Sequence, residues 1–306
     1  HEGHLDWVSE WRAALASGQL QPRDPYADYL KSEGHLETHV EDYLVESDGL
    51  TGDVPTQLPD EAYCDNWIGR QGLDLLADAP PERPWFLQVN SAGPHQPWDV
   101  TEEMHGWYRD PDVTFSEPVN PDIDIDSETH QEVRRNYAAM IENIDRWAGR
   151  FRDRLRERGE LDDTVTVFAA DHGEMLGDHG RWRKSVPYHG SLGTPLVIAG
   201  LAVRTQAPVE TPVNLLDLHA TTLEDADFLV RDRLPPREIA TSALDDWQLT
   251  TDGRFTLVSG FDFGDDLHGE WRDPVLFDRE SDPGETRSVA ESHHGVVEEL
   301  SSALDH

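Results

Sequence analysis

The chain has 306 residues, with 62 acidic side chains against 25 lysines and arginines, a formal net charge of −37. Such a field excludes DNA, RNA and anionic membranes as expected partners, since each would bring negative charge to negative charge. High charge is also the mark of disorder, but ten Trp, seven Tyr and nine Phe, set in clearly periodic segments, predict a folded protein.

The acid excess and the use of only two lysines beside twenty-three arginines are what adaptation to molar salt predicts. There the Debye length falls to about 3 Å, and a haloarchaeal source is the corresponding expectation. One cysteine, Cys64, excludes an internal disulfide and a thiolate zinc cluster. No run approaches the ~20 apolar residues a membrane-crossing helix needs, and no signal peptide is present. The expected location is therefore cytoplasmic, although the chain begins at His1 without a methionine.

Residues 1–58 read as polar chain with short helical pieces such as Leu5 to Leu15. His1-Glu2-Gly3-His4 lacks the i, i+4 spacing that places two imidazoles on one helical face. From Pro59 a helix is predicted, with Tyr63, Trp67, Ile68, Gly72, Leu75 and Leu76 at helical spacing and Pro80-Pro81 as its stop. Pro84 to Asn90 reads as a short apolar strand running into Ser91-Ala92-Gly93-Pro94-His95-Gln96-Pro97-Trp98, where two prolines hold His95 rigidly. Residues 99–130 read as an irregular acidic insertion. Its Asp122-Ile123-Asp124-Ile125-Asp126 run lacks the glycine and terminal glutamate of an EF-hand and is expected to be a solvated loop.

The clearest helix spans Glu132 to Arg158. Val133, Tyr137, Met140, Ile141, Ile144, Ala148, Phe151 and Leu155 form its apolar stripe, and Gly159 is its stop. Thr164 to Ala170 follows as an apolar, β-branched strand of the kind buried on both faces. It runs into Asp171-His172-Gly173-Glu174 at its carboxyl end, where α/β sheets bind ligands. Asp171 and His172 can offer one hard oxygen and one imidazole nitrogen to a divalent cation, with Gly173 allowing a sharp backbone turn. Lys184 stands twelve residues beyond His172.

The run D-H-G-E-M-L-G-D-H-G followed by W-x-K resembles the sulfatase family of the alkaline-phosphatase-like superfamily. The same resemblance extends to P-H-x-P-W around His95, to the helix preceding the Asp-His strand, to Thr211–Leu218 and to L-F-D-x-x-x-D-P-G-E near the C-terminus. It covers roughly residues 59–306. It implies an α/β fold: a mainly parallel sheet between helices in a catalytic domain over 1–225, then a small antiparallel-sheet subdomain over 226–306. It also implies a sulfuric ester hydrolase in which Asp171 and His172 help hold a divalent cation, usually calcium. By the same resemblance Lys184 would bind the sulfate oxygens, and His95 would contact the ester and assist the leaving oxygen. The expected substrate is a small-molecule or saccharide sulfate ester, met by variable loops over 20–58 and 99–130.

Two departures stand out. Where the family usually has Tyr-Glu, then Ser, then Arg, this sequence has His189 for the glutamate and Gly193 for the arginine. The Cys- or Ser-x-Pro-x-Arg motif that yields the formylglycine nucleophile, and the first strand with its acidic metal ligands, have no counterpart here; Cys64 is followed by Asp65, Asn66, Trp67 and Ile68. The chain thus looks like the C-terminal two-thirds of a sulfatase, with formylglycine expected in a missing N-terminal portion. Taken alone, it is expected to bind metal weakly, not to turn over, and to leave a sheet edge unpaired. Two other readings stay open: a phosphodiesterase or phosphonate monoester hydrolase on the same scaffold, and a non-catalytic sulfatase-like binding protein.

Overall fold

The computed structural model describes residues 13–18, 20, 24–46, 55–122, 124–200, 203, 211–216, 218, 238–263 and 274–304. His1–His4, most of the piece Leu5 to Leu15, Asp217 of the Thr211–Leu218 segment and the expected domain boundary at 225/226 lie outside the described residues. The chain forms two compact units, one of His1–Glu117 with Ile123–Glu160, the other of Pro118–Asp122 with Leu161–His306.

In the first unit, helices α1 (Pro25–Glu33) and α2 (Leu36–Glu46) occupy a stretch expected to be a recognition loop. The Asp24 carboxylate accepts from the Ala27 N–H at 2.8 Å, and Gly34 ends α1 at φ 80°, a capped start and a left-handed stop. Leu30, Leu36, Val40, Leu44, Leu58 and Ala62 form the core beneath. Helix α3 (Cys64–Asp78) begins later than the expected Pro59, after a single 3₁₀ turn over Asp60–Ala62. A short helix, α4 (Glu102–His105), capped by the Thr101 hydroxyl, interrupts the insertion expected to be irregular.

Helix α5 runs Ser127–Arg158, five residues longer at its start than periodicity indicates. The Asp126 carboxylate caps it by accepting from the Thr129 N–H at 2.8 Å, so the last acid of the D-I-D-I-D run, exposed as expected, is also a helix cap. Gly159, at φ 70°, closes it. The buried stripe includes Val133, Met140 and Leu155 as expected, but its centre is Asn136, Ala139, Asn143 and Trp147, while Ile141 is exposed. Trp147 lies on Gly69 of α3, where a Cβ would come within 2.2–2.6 Å of the indole. Its Nε1–H donates to Asn66 Oδ1 at 2.6 Å.

Pro84–Asn90 has no regular secondary structure and joins no ladder among the described residues, so the expected strand is not one here, and Phe86 is 75% exposed. A strand requires a partner to satisfy its backbone.

In the second unit, β1 (Val165–Ala169) pairs antiparallel with β2 (Leu196–Gly200), Val165 opposite Gly200 and Ala169 opposite Leu196. The fold class is α/β, but the parallel register expected around β1 is not found among the described residues. The connection from 170 to 195 holds a 3₁₀ turn over Asp178–Gly180 and the four-residue helix α6 (His189–Leu192). Burial on both faces is not found either: Val167 and Phe168 are exposed and Val197 is 56% exposed.

The antiparallel subdomain is present. Strands β3 (Ala240–Leu244), β4 (Trp247–Thr251), β5 (Phe255–Ser259) and β6 (Val275–Asp278) form a meander in that order, followed by α7 (His294–Ser302). One face buries Trp247, Leu249, Val258, Val275 and Phe277 with Met175 and Tyr188, which ties the sheet to the loop that follows β1. The other buries Leu257 and Leu276 beneath Leu300 of α7.

The Trp147–Gly69 contact yields a stability prediction. In an open helix Gly→Ala would gain about 1 kcal/mol. Here the methyl meets the indole, and overpacking costs of about 1–3 kcal/mol reverse the sign. Gly69→Ala is expected to lower the urea midpoint of the first unit; a raised midpoint would show that the indole moves aside freely.

Candidate active site

Asp171, His172 and Lys184 fall in the second unit, on the loop leaving β1. Asp171 is 89% exposed at its side chain, and its Oδ1 accepts from the His172 N–H at 3.0 Å. The His172 Nδ1–H donates to the Gly173 carbonyl at 2.8 Å, which makes Nε2 the lone-pair nitrogen of the ring. Nε2 lies 3.8 Å from Asp171 Oδ1. One carboxylate oxygen and one oriented imidazole nitrogen on neighbouring residues suit a shared divalent cation, with the second hydrogen bond fixing the tautomer. No cluster of three or more His, Cys, Asp or Glu able to hold a metal occurs among the described residues.

Gly173 is required here for space rather than for a turn. Its φ is not left-handed, but a Cβ would stand 2.1 Å from the Gly190 carbonyl oxygen. Its N–H donates to the Ser191 carbonyl at 2.7 Å, so the loop is seated on the backbone of α6.

Lys184 returns to this loop because residues 174–183 double back. The Met175 N–H donates to the Arg183 carbonyl, and Gly177 N–H to the Arg181 carbonyl, each at 2.9 Å. The buried end is closed by Glu174, whose Oε1 accepts from the Leu176 and Arg183 N–H groups. Burial pushes the Glu174 carboxyl up, while those two donors and the nearby Lys184 and His172 charges oppose the shift. Leu176, His179, Arg183 and Ser185 all hold positive φ. Four such residues around one lysine place backbone strain where functional segments commonly store it.

His95 belongs to the first unit. It is exposed, and its Nδ1–H donates to the Gln96 carbonyl at 2.6 Å. Its loop is held by a residue that sequence reasoning passed over. The buried Asp65 carboxylate accepts from the Ala92 N–H at 2.7 Å and from the Gly93 N–H at 3.0 Å, and a Cβ on Gly93 would strike it at 2.4 Å. Burial pushes the Asp65 carboxyl up against the lowering effect of those donors. No sequence spacing links Asp65 to Gly93, so no local signal marks it.

The departures at His189 and Gly193 occupy one place. A Cβ on Gly193 would lie 2.3 Å from His189 Cε1, so this imidazole excludes the arginine that the family pattern carries there.

Residues 10–228 match the family model described as Sulfatase. The chain belongs to the sulfatase family. Arylsulfatase of Clostridium perfringens is 27% identical over 216 residues, 65% of this chain and 44% of its own. Choline-sulfatase of Rhizobium meliloti is 28% identical over 262 residues, 71% of this chain and 48% of its own. The chain thus spans just under half the length of these relatives. Among solved structures, the phosphonate monoester hydrolase of Agrobacterium radiobacter superposes with a TM-score of 0.70 at 21% identity, covering 94% of this chain and 69% of that one. A protein solved with its substrate D-glucosamine-2-N,6-O-disulfate superposes at 0.66 and 16% identity, covering 79% and 69%. Both share the fold of this sulfatase-family chain.

Glu285, in the D-P-G-E turn of the second unit, generates a pH prediction. It is 2% exposed, and burial pushes its carboxyl from the ordinary 4.5 up to about 7, against the His189 N–H and Arg279. The folded state therefore binds a proton that the unfolded state has lost, and stability falls as pH rises from about 4.5 to 7. At about 1.4 kcal/mol per unit the loss is on the order of 3 kcal/mol. Glu285→Gln is expected to flatten this decline in denaturant titrations across the window; an unchanged slope would show that Glu285 is ionised throughout.

Proposed function

We propose that this chain is part of a sulfate-ester hydrolase and carries the metal-loop and lysine share of its active site. The observation that carries the reading is the seating of Asp171, His172 and Lys184 on one strained loop at the end of β1, within the segment that matches the family model. Asp171 and His172 would hold a divalent cation, calcium by family resemblance. Bound there, it would act as a Lewis acid on the sulfate group. The Lys184 ammonium would neutralise charge growing on the sulfate oxygens. His95, protonated at Nε2, would give that proton to the leaving oxygen, a transfer suited to an imidazole near neutral pH. The nucleophile, by resemblance a hydrated formylglycine, is assigned to polypeptide outside these residues. An aryl, choline or saccharide sulfate ester is the proposed substrate class, supported by the names of the relatives and by the sulfated sugar bound to the structural neighbour.

In the polypeptide as its own cells make it, Lys184→Ala is expected to lower kcat/KM for an aryl sulfate by roughly 100-fold or more, with the protein still folded. An unchanged rate would remove Lys184 from the chemistry. Faster turnover of an aryl phosphonate than of the sulfate would move the assignment to phosphorus esters.

We further read the −37 net charge as adaptation to concentrated salt. Circular dichroism should show loss of structure on dialysis into dilute buffer and recovery at molar salt, where self-repulsion is screened. A chain fully folded without salt would end that reading.

A further inference from the structure

We propose that Glu285 is a positioning residue for the Asp171–His172 loop: its buried carboxyl group fastens α6, and α6 carries the backbone on which that loop is seated. The inference rests on the sulfatase reading for what the loop does, but not for how the loop is held.

The D-P-G-E turn is closed by Asp282, whose carboxylate accepts from the Thr286 and Arg287 N–H groups at 2.8 and 3.1 Å, while the Glu285 N–H donates to its carbonyl at 3.1 Å. Glu285 holds φ 52°, a left-handed conformation that is unfavourable for an ordinary L-residue. Its Oε1 is buried and meets no donor among the described residues, a second cost. A glycine or asparagine would tolerate that backbone more cheaply and bury no carboxyl. What the glutamate supplies is its Oε2, which accepts from the His189 N–H at 2.7 Å and satisfies an otherwise open donor at the start of α6.

From α6 the contact passes directly to the metal loop. Its first turn is closed by the Ser191 and Leu192 N–H groups on the Tyr188 carbonyl at 3.0 and 3.1 Å. The Ser191 carbonyl then accepts from Gly173, the residue after His172, at 2.7 Å. The seat tolerates little displacement, since the Gly173 α-carbon and the Gly190 carbonyl oxygen leave no room for a Cβ. The same turn makes a second fastening: the His179 Nε2–H donates to the Gly284 carbonyl at 2.9 Å, and the His179 ring stacks on Tyr188 at 4.1 Å and 9°. Residues 284 and 285 thus hold both α6 and the strained loop that returns Lys184 to Glu174. Without the Glu285 carboxyl group, α6 loses its anchor and the 3.8 Å spacing of Asp171 Oδ1 and His172 Nε2 loses its support.

The test is amide hydrogen exchange on the full chain in chelator, which reads the seating of the loop whether or not metal or substrate binds. Glu285→Ala is expected to speed exchange over residues 171–176 by roughly tenfold or more, with the strands at 240–259 unchanged. Glu285→Gln keeps a carbonyl acceptor for the His189 N–H and is expected to stay within about twofold of the wild type. Should the alanine variant not fold, Glu285→Asp, one methylene too short to reach, is judged by the same measurement. Unchanged exchange over 171–176, equal acceleration of loop and sheet, or a glutamine variant as fast as the alanine one would each overturn the proposal. A parallel calcium titration of the wild type bears on the sulfatase reading alone, so the two can fail separately.

Discussion

The candidate site depends on one close approach of backbone to backbone, Gly173 against α6. The hydrogen bond from Gly173 to Ser191 contributes only about 1 kcal/mol net, as such bonds do. The steric condition is the stronger control, because any side chain at 173 would enter the Gly190 carbonyl oxygen. With that contact made, Asp171 and His172 project from a fixed piece of chain, and Glu174 at the buried end accepts the N–H groups that fold 176–183 back. A flexible polar turn after β1 would carry the same residues without holding them.

Locally encoded features were legible in the sequence. Helix α5 shows its 3.6-residue period and its glycine stop. Its first turn was not legible, because Ser-Glu-Thr-His-Gln carries no apolar periodicity and its cap, Asp126, sits in a run of acids that reads as solvated. Strand β1 was legible as a strand but not in its surroundings, since burial and register are properties of neighbours. The same reasoning accounts for Pro84–Asn90, which has the composition of a strand and no partner among the described residues, and for β3 and β4, whose Ala, Ser, Thr and Gln content gives little alternating signal.

The site divides along the same line. Asp171, His172 and Lys184 lie within fourteen residues of one another and form a readable motif, as does the proline-framed His95. The residues that hold them act across the chain. Asp65 reaches Gly93 over 28 positions and Glu285 reaches His189 over 96. Glu285 was visible as part of a turn signature, but nothing in the turn indicates that its carboxyl group points back into the fold.

On the proposed reading, a lysine at 184 follows from charge and screening. A sulfate ester would arrive as an anion, and a body of −37 would repel it at long range. Under the molar salt proposed for this protein that repulsion would extend only about 3 Å from each charge, so that groups at contact distance would decide binding. Arg181, Arg183 and Lys184 bring three positive charges to one short segment of the loop after β1. Arginine serves nearly everywhere else in this sequence, but its guanidinium is a broad planar fork, whereas an ammonium is a compact point charge with three rotatable donors. On a loop whose backbone is already fixed by Glu174 and the strained residues around it, a compact cation can meet one oxygen of a tetrahedral anion as charge grows there. That requirement distinguishes position 184 from the surface positions where arginine suffices.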